Sequence, residues 1–224
     1  MANHLDLEEQ EQLDQLKDFW KQYGNLITWV LILSLGAFVG YAWWNKNQAE
    51  QAAKAGVLYD ELDQVAGAGD VDKTTRVAKD LTDNFPRTTY AAQGGLLAAK
   101  VQAEHDKLDA ARASLEWVAA NASEAEYKAI ARLRLAGLLI DQKKFDEAGK
   151  TLAGEFPKEF EALAADRKGD LLQLQGKPAD AIAAYQQAWK AMDKDVGYRK
   201  ILSAKLTALG AAPDTSAADA GAKP

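Results

Sequence analysis

Nineteen consecutive residues, Leu26 to Trp44 (LITWVLILSLGAFVGYAWW), carry no charge, and the charge-free interval extends from Lys21 to Lys46. As a helix such a segment rises about 28 Å, close to the hydrocarbon thickness of a bilayer. Trp20, Tyr23, Tyr41, Trp43 and Trp44 stand at its two ends, where amphipathic rings settle among the headgroups. The segment predicts one transmembrane helix over residues 23–45 that anchors the chain in a lipid bilayer. A buried core helix is the competing structural reading, but soluble cores rarely need so long a charge-free stretch. A cleavable signal peptide is the other, with Gly40-Tyr41-Ala42 as the cleavage site. The preceding segment is too long and too acidic for that, and the apolar run exceeds a usual signal core.

Charge is unevenly spread. Of the net −6, residues 1–21 carry six acids and two lysines, whereas residues 45–210 carry 24 bases against 25 acids. A near-neutral, evenly mixed surface after the span lacks the concentrated basic face that nucleic acid requires. It also lacks a polybasic cluster for anionic lipid. The chain has no cysteine, which excludes disulfides, thiolate nucleophiles and cysteine metal sites and fits an oxidising compartment. Lys17 and Lys21 before the span nearly balance Lys46 and Lys54 after it. The free amino terminus tips the balance towards an arm, residues 1–22, on the cytoplasmic side, with the remainder outside.

After Asn45 the composition turns to Ala, Leu, Lys, Glu and Gln, with no sustained two-residue alternation, so helices are predicted and strands are not. Breaks recur at Gly67-Ala68-Gly69-Asp70, His105-Asp106-Lys107, Gln142-Lys143-Lys144 and Gly176-Lys177-Pro178. The intervening segments pair as a longer helix, a tight turn and a shorter helix. One frame recurs: Val65/Val77/Leu81/Asn84, Ala99/Ala111/Leu115/Val118, Ala136/Ala148/Leu152/Glu155 and Gly169/Ala181/Tyr185/Ala188. A period near 34 with small residues on facing helices is the tetratricopeptide pattern. The predicted fold is all-α: a transmembrane helix, then a tetratricopeptide-like α-solenoid of four helix pairs over residues 46–210. The prolines after Phe85 and Phe156 are expected to shorten the second helices of pairs one and three. Val196–Leu209 is expected to cover the open end, and residues 211–224 to form a disordered tail.

No residue pattern calls for catalysis, a metal or a cofactor. The two histidines, His4 and His105, read as solvated surface residues. HExxH, G-x-S-x-G, P-loop and GxGxxG patterns are absent. Gly94-Gly95 opens no strand-to-helix turn and reads as close helix packing. The acid pairs Glu159/Glu161 and Asp146/Glu147 have the spacing of exposed helix faces. What remains is protein binding. First helices of successive pairs line the inner surface of such an array. The frame places Leu96, Lys100 and Glu104 there from the second pair, Leu133, Gly137 and Asp141 from the third, and Asp166 and Asp170 from the fourth. The acids suit a basic ligand, with Lys100 interrupting the field. In the arm, Leu13, Leu16 and Trp20 share a helical face near Glu8, Glu9, Glu11 and Asp14. That face suits either a helix lying on the membrane or a dock for a cytoplasmic partner.

The acidic start (HLDLEEQEQLDQLKDFWKQYGN), the single span ending in Tyr41-Ala42-Trp43-Trp44 and the weak repeats together resemble the YfgM-type ancillary subunits of the bacterial Sec translocon. The resemblance implies an inner-membrane protein with its repeat domain in the periplasm. It implies association with the translocon and with a membrane-anchored prolyl-isomerase-like chaperone. The implied role is non-enzymatic: helping exported client proteins reach periplasmic folding factors.

Two functions are expected from these features. One is a membrane-tethered scaffold that binds partners through its outward domain. The other is a regulatory adaptor whose acidic arm binds a soluble regulator. Both need the anchor. Alkaline carbonate washing of membranes is expected to leave the protein in the pellet, and its release into the supernatant would contradict the span.

Overall fold

The computed structural model describes residues 7–213, and every regular element among them is a helix. Nine are present in that range: α1 (Leu7–Gly67), α2 (Val71–Asn84), α3 (Thr89–Glu104), α4 (Leu108–Asn121), α5 (Ala125–Asp141), α6 (Phe145–Leu152), α7 (Lys158–Leu174), α8 (Pro178–Ala191) and α9 (Arg199–Ala208). The chain divides into two units between Glu50 and Gln51. Helix α1 contributes to both, and it breaks at neither end of the expected span. Most of the expected carboxy-terminal tail lies outside the described residues.

In the first unit no residue of the most apolar stretch of α1 is buried. Leu26, Trp29, Leu33, Phe38 and Trp43 are all more than half exposed. So large an apolar surface, continuous around a helix, has lipid as its natural solvent. At the start of this stretch the Trp20 indole lies over Gly24, where a Cβ would stand 3.2 Å from its Nε1.

The second unit is a run of antiparallel pairs, and the same turn joins the two helices of each. After the first helix one residue enters the left-handed region: Gly69 (φ +72°), Asp106 (φ +58°), Lys143 (φ +59°) and Gly176 (φ +73°). The next amide then reaches back to a carbonyl five residues earlier: Asp70 to Val65, Lys107 to Gln102, Lys144 to Leu139 and Lys177 to Leu172, at 2.8–3.1 Å. This is the Schellman closure. The carbonyl of that same residue starts the second helix, accepting from Thr74, Ala111, Ala148 and Ala181 respectively. Four turns of different sequence thus close with the same hydrogen-bond pattern.

Packing follows the sequence frame. Ala111, Ala136, Ala148, Ala181 and Ala188 are fully buried. At Gly169 an added Cβ would lie 2.4 Å from the ring of Tyr185, itself fully buried, so the tyrosine fills the space that glycine leaves. Gly94 and Gly95 sit side by side but face different neighbours: a Cβ would meet Leu81 of α2 from the first and Val118 of α4 from the second, both at 2.5 Å. Helix α3 is pressed closely on two sides, and no phosphate site is needed to explain the pair of glycines. Asn84 and Glu155, which stand at the frame position held by Val118 and Ala188 in the other pairs, are both exposed.

The prolines act differently from expectation. Helix α2 has 14 residues, as do α4 and α8, so Pro86 merely follows a second helix of ordinary length. Helix α6 is short, at 8 residues, but it ends before Pro157 is reached. Gly154 turns left-handed (φ +87°), and Arg132 of α5 donates to the carbonyls of Thr151 (3.1 Å), Ala153 (2.6 Å) and Glu155 (2.9 Å). Its guanidinium also lies 3.8 Å above the Phe156 ring. One arginine thus satisfies the carbonyls that an early helix end leaves open.

The last pair is covered by α9, whose Leu202 and Leu206 are fully buried in one cluster with Tyr185, Ala188 and Met192. A polar latch lies beside this cluster. Lys205 donates to Asp166 Oδ1 (2.7 Å) and Asp170 Oδ1 (2.6 Å). Tyr198 donates to Asp166 Oδ2 and Tyr185 to Asp170 Oδ1, both at 2.8 Å. Burial pulls the Lys205 ammonium down, but its hydrogen bonds to the two carboxylates outweigh that and hold it above the ordinary lysine value. Burial, reinforced by Asp170, raises Tyr185, and burial with Asp166 raises Tyr198.

The packing sets three expected outcomes. Gly169→Ala gains about 1 kcal/mol of helix propensity but overpacks against Tyr185 at a cost of about 1–3 kcal/mol. A net loss is expected in urea titrations of the detergent-solubilised chain, with the penalty relieved in a Tyr185→Leu background; equal stability of Gly169→Ala and the parent would refute the close approach. The latch makes stability pH-dependent on the alkaline side. Lys205, Tyr185 and Tyr198 all keep their protons longer folded than unfolded, so their contribution is complete below about pH 10 and is lost as pH climbs further. Melting temperatures are expected to fall above about pH 10. Lys205→Met is expected to cost about 3 kcal/mol at neutral pH by stranding two carboxylates, and to recover when Asp166→Asn and Asp170→Asn are added.

Candidate partner-binding trough

The first helices α3, α5 and α7 present two adjoining depressions that share Leu133, Arg134 and Arg167. The larger, about 450 Å³, reaches from α3 across α5 and includes Lys100, Glu104, Gly137 and Asp141 in its wall. The smaller, about 270 Å³, lies between α5 and α7 with a floor of Ile130, Leu133, Phe160 and Leu163 and with Tyr198 at one side. Together they form a trough. Gly137 faces the Arg167 guanidinium across it, at an ordinary contact distance of 3.7 Å from where a Cβ would be.

Five of the eight residues placed here by the repeat frame, namely Lys100, Glu104, Leu133, Gly137 and Asp141, line the larger depression together. The other three have different surroundings. Leu96 is buried among Leu115, Val118 and Leu135 and packs the interior. Asp166 is 2 % exposed and has both oxygens engaged by Lys205 and Tyr198. Asp170 is held by Lys205 and Tyr185. These acids serve the latch to α9, so the expectation of an acidic field for a basic ligand is corrected.

The remaining charge here is mixed, with Lys100, Arg134 and Arg167 against Glu104 and Asp141, and the two arginines lie at the α5–α7 end. Arg134 is exposed, and its hydrogen bond among the described residues is a long one, 3.5 Å from Nη1 to the Leu96 carbonyl. Arg167 approaches Asp170 only to 3.8 Å, beyond hydrogen-bonding distance. Lys100 and Glu104 stand 3.9 Å apart at the far end. The frame did contain a signal for the arginines: Arg134 and Arg167 are 33 residues apart, the same step as Ala148 to Ala181. They thus occupy one frame position in successive pairs.

The aromatics expected at the membrane surface lie in the first unit. Trp20, Tyr23, Tyr41, Trp43 and Trp44 are all exposed on α1. Among the described residues α1 is the one helix long and apolar enough to cross a membrane. No group of three or more His, Cys, Asp or Glu able to hold a metal occurs among the described residues.

Comparison with known proteins agrees with this architecture. Residues 17–211 match the tetratricopeptide repeat-like domain family. A protein of Neisseria gonorrhoeae named ancillary SecYEG translocon subunit is 32% identical over 210 residues, which cover 93% of this chain and all of that protein. Proteins of the same name from Escherichia coli and Haemophilus influenzae are 29% and 30% identical, each over 81% of this chain and over 87% and 89% of their own lengths. The span, the four-pair array and these matches over nearly the whole length establish that the chain belongs to the family of ancillary SecYEG translocon subunits, with a tetratricopeptide repeat-like domain.

Proposed function

We propose that this protein is a non-enzymatic scaffold, held in the bacterial inner membrane by its single span, that associates with the Sec translocon and binds partner proteins in the trough of its repeat unit. The observation that carries this reading is the trough itself: apolar and guanidinium side chains open to solvent across successive first helices, in a chain that also carries a membrane-spanning segment. The names of the relatives support the translocon as the assembly concerned.

In this reading the amino-terminal arm is cytoplasmic and the repeat unit periplasmic. The trough's partners are then exported client proteins and a membrane-anchored prolyl-isomerase-like chaperone that receives them. Tethering makes weak contacts sufficient. A binding unit confined near an exit site works at an effective concentration of about millimolar, so a trough with modest intrinsic affinity still engages passing chains.

A photocrosslinking amino acid at Leu133 or Leu163 in intact membranes tests the proposal. Adducts to translocon subunits, chaperone or exported chains are expected from these positions and not from Gln186 on α8, which is exposed away from the trough lining. Equal or absent crosslinking from all three positions would refute it. Deleting residues 2–16 is expected to leave these adducts intact, whereas their loss would favour an adaptor working through the acidic arm.

A further inference from the structure

We infer that the depression between α5 and α7 receives an acidic–apolar peptide segment of a partner protein, its carboxylates bound by Arg134 and Arg167 and an apolar side chain seated between them; this rests on the scaffold reading and supplies the chemistry of its ligand. Three observations converge on it.

The first is charge. The depression is bordered by two arginines and one acid, Asp166, and that acid is already saturated by Lys205 at 2.7 Å and Tyr198 at 2.8 Å. The nearest alternative counter-ion for Arg167, Asp170, has its Oδ1 held by Lys205 at 2.6 Å and Tyr185 at 2.8 Å, while its Oδ2 stands 3.8 Å from Arg167 Nη1, an ion pair without a hydrogen bond. Each guanidinium has five donors in a planar fork that matches a carboxylate. Neither fork is matched by a carboxylate within hydrogen-bonding distance among the described residues.

The second is the floor. Ile130, Leu133 and Phe160 are half-buried, and Leu163 is 37% exposed. Carboxylates bound beside such a surface are partly removed from water, where a guanidinium pair attracts them more strongly than in bulk solvent. An adjacent leucine or phenylalanine of the ligand covers the floor.

The third is size. About 270 Å³ lies below the roughly 300–1,000 Å³ of a drug-sized pocket. It accommodates a side chain with its flanking groups and not a whole small molecule. The mixed charges of Lys100, Glu104 and Asp141 at the other end of the trough break the positive field, so the acidic part of a ligand is confined to the α5–α7 end.

The test uses the full chain in nanodiscs of neutral phosphatidylcholine. Fluorescence anisotropy is read with a labelled, end-capped nonapeptide alternating glutamate with leucine and phenylalanine, and with its counterpart carrying lysine for glutamate. The acidic peptide is expected to bind at least about tenfold more tightly, with the preference shrinking as salt rises. Arg134→Gln with Arg167→Gln should abolish the preference, and Arg134→Lys should retain part of it because a point charge lacks the fork. Leu163→Glu, which places a carboxylate at the partly exposed floor, should weaken the acidic peptide with both arginines in place, so the conclusion does not hang on the double variant's folding. Equal affinity for the two peptides, or an acid preference that survives both the double variant and Leu163→Glu, overturns the inference. Co-purification of SecYEG with the unaltered chain is scored separately. SecYEG recovery without acid preference refutes the ligand chemistry alone, while acid preference without SecYEG supports the ligand chemistry and refutes the scaffold reading.

Discussion

How closely two helices approach is set by the smallest side chain between them, and in the repeat unit that distance decides almost everything else. Where Gly169 meets Tyr185, or Gly94 meets Leu81, no β-carbon fits. At the alanine positions a single methyl is fully buried between the helices. Close pairs bury their mutual face completely but leave an apolar outer face, which only the next pair can cover. The stability of each pair therefore depends on its neighbours, and the first helices are lined up beside one another as a by-product. The trough is that by-product. No element was added to build it.

Identical turns reinforce this constraint. Glycine occupies the left-handed position in two of the four turns, and Asp106 and Lys143 occupy it in the others, although a side chain there carries a conformational cost. The Schellman hydrogen bonds are nevertheless the same in all four. Turn geometry is thus held by the pair that it joins as much as by its own residues, and local propensity yields to packing.

Much of this was readable in the sequence. The charge-free run specified the span, and the steps between Val77, Ala111, Ala148 and Ala181 specified the pairs, because both signals depend only on spacing along one chain. The frame grouped Lys100, Glu104, Leu133, Gly137 and Asp141 on one surface for the same reason, and they line one depression. It failed at Asp166 because a helical projection knows which face a residue occupies but not which later helix lies across that face. Lys205, 39 residues on, turns a supposed ligand-binding acid into an internal counter-ion. Arg132 was invisible for a related reason: it binds backbone carbonyls 19 to 23 residues downstream, and backbone has no sequence signature. Pro157 drew attention to the right place for the wrong cause.

Helix α9 has a consequence beyond the pair that it covers. A solenoid whose final face stays bare offers its own first face a place to stack, and copies then add head to tail without limit. Leu202 and Leu206 occupy that face, and the ammonium of Lys205 fastens them there with two carboxylates that no incoming copy can recruit. At its carboxy-terminal end, the apolar face of the last pair is thus covered by the chain itself.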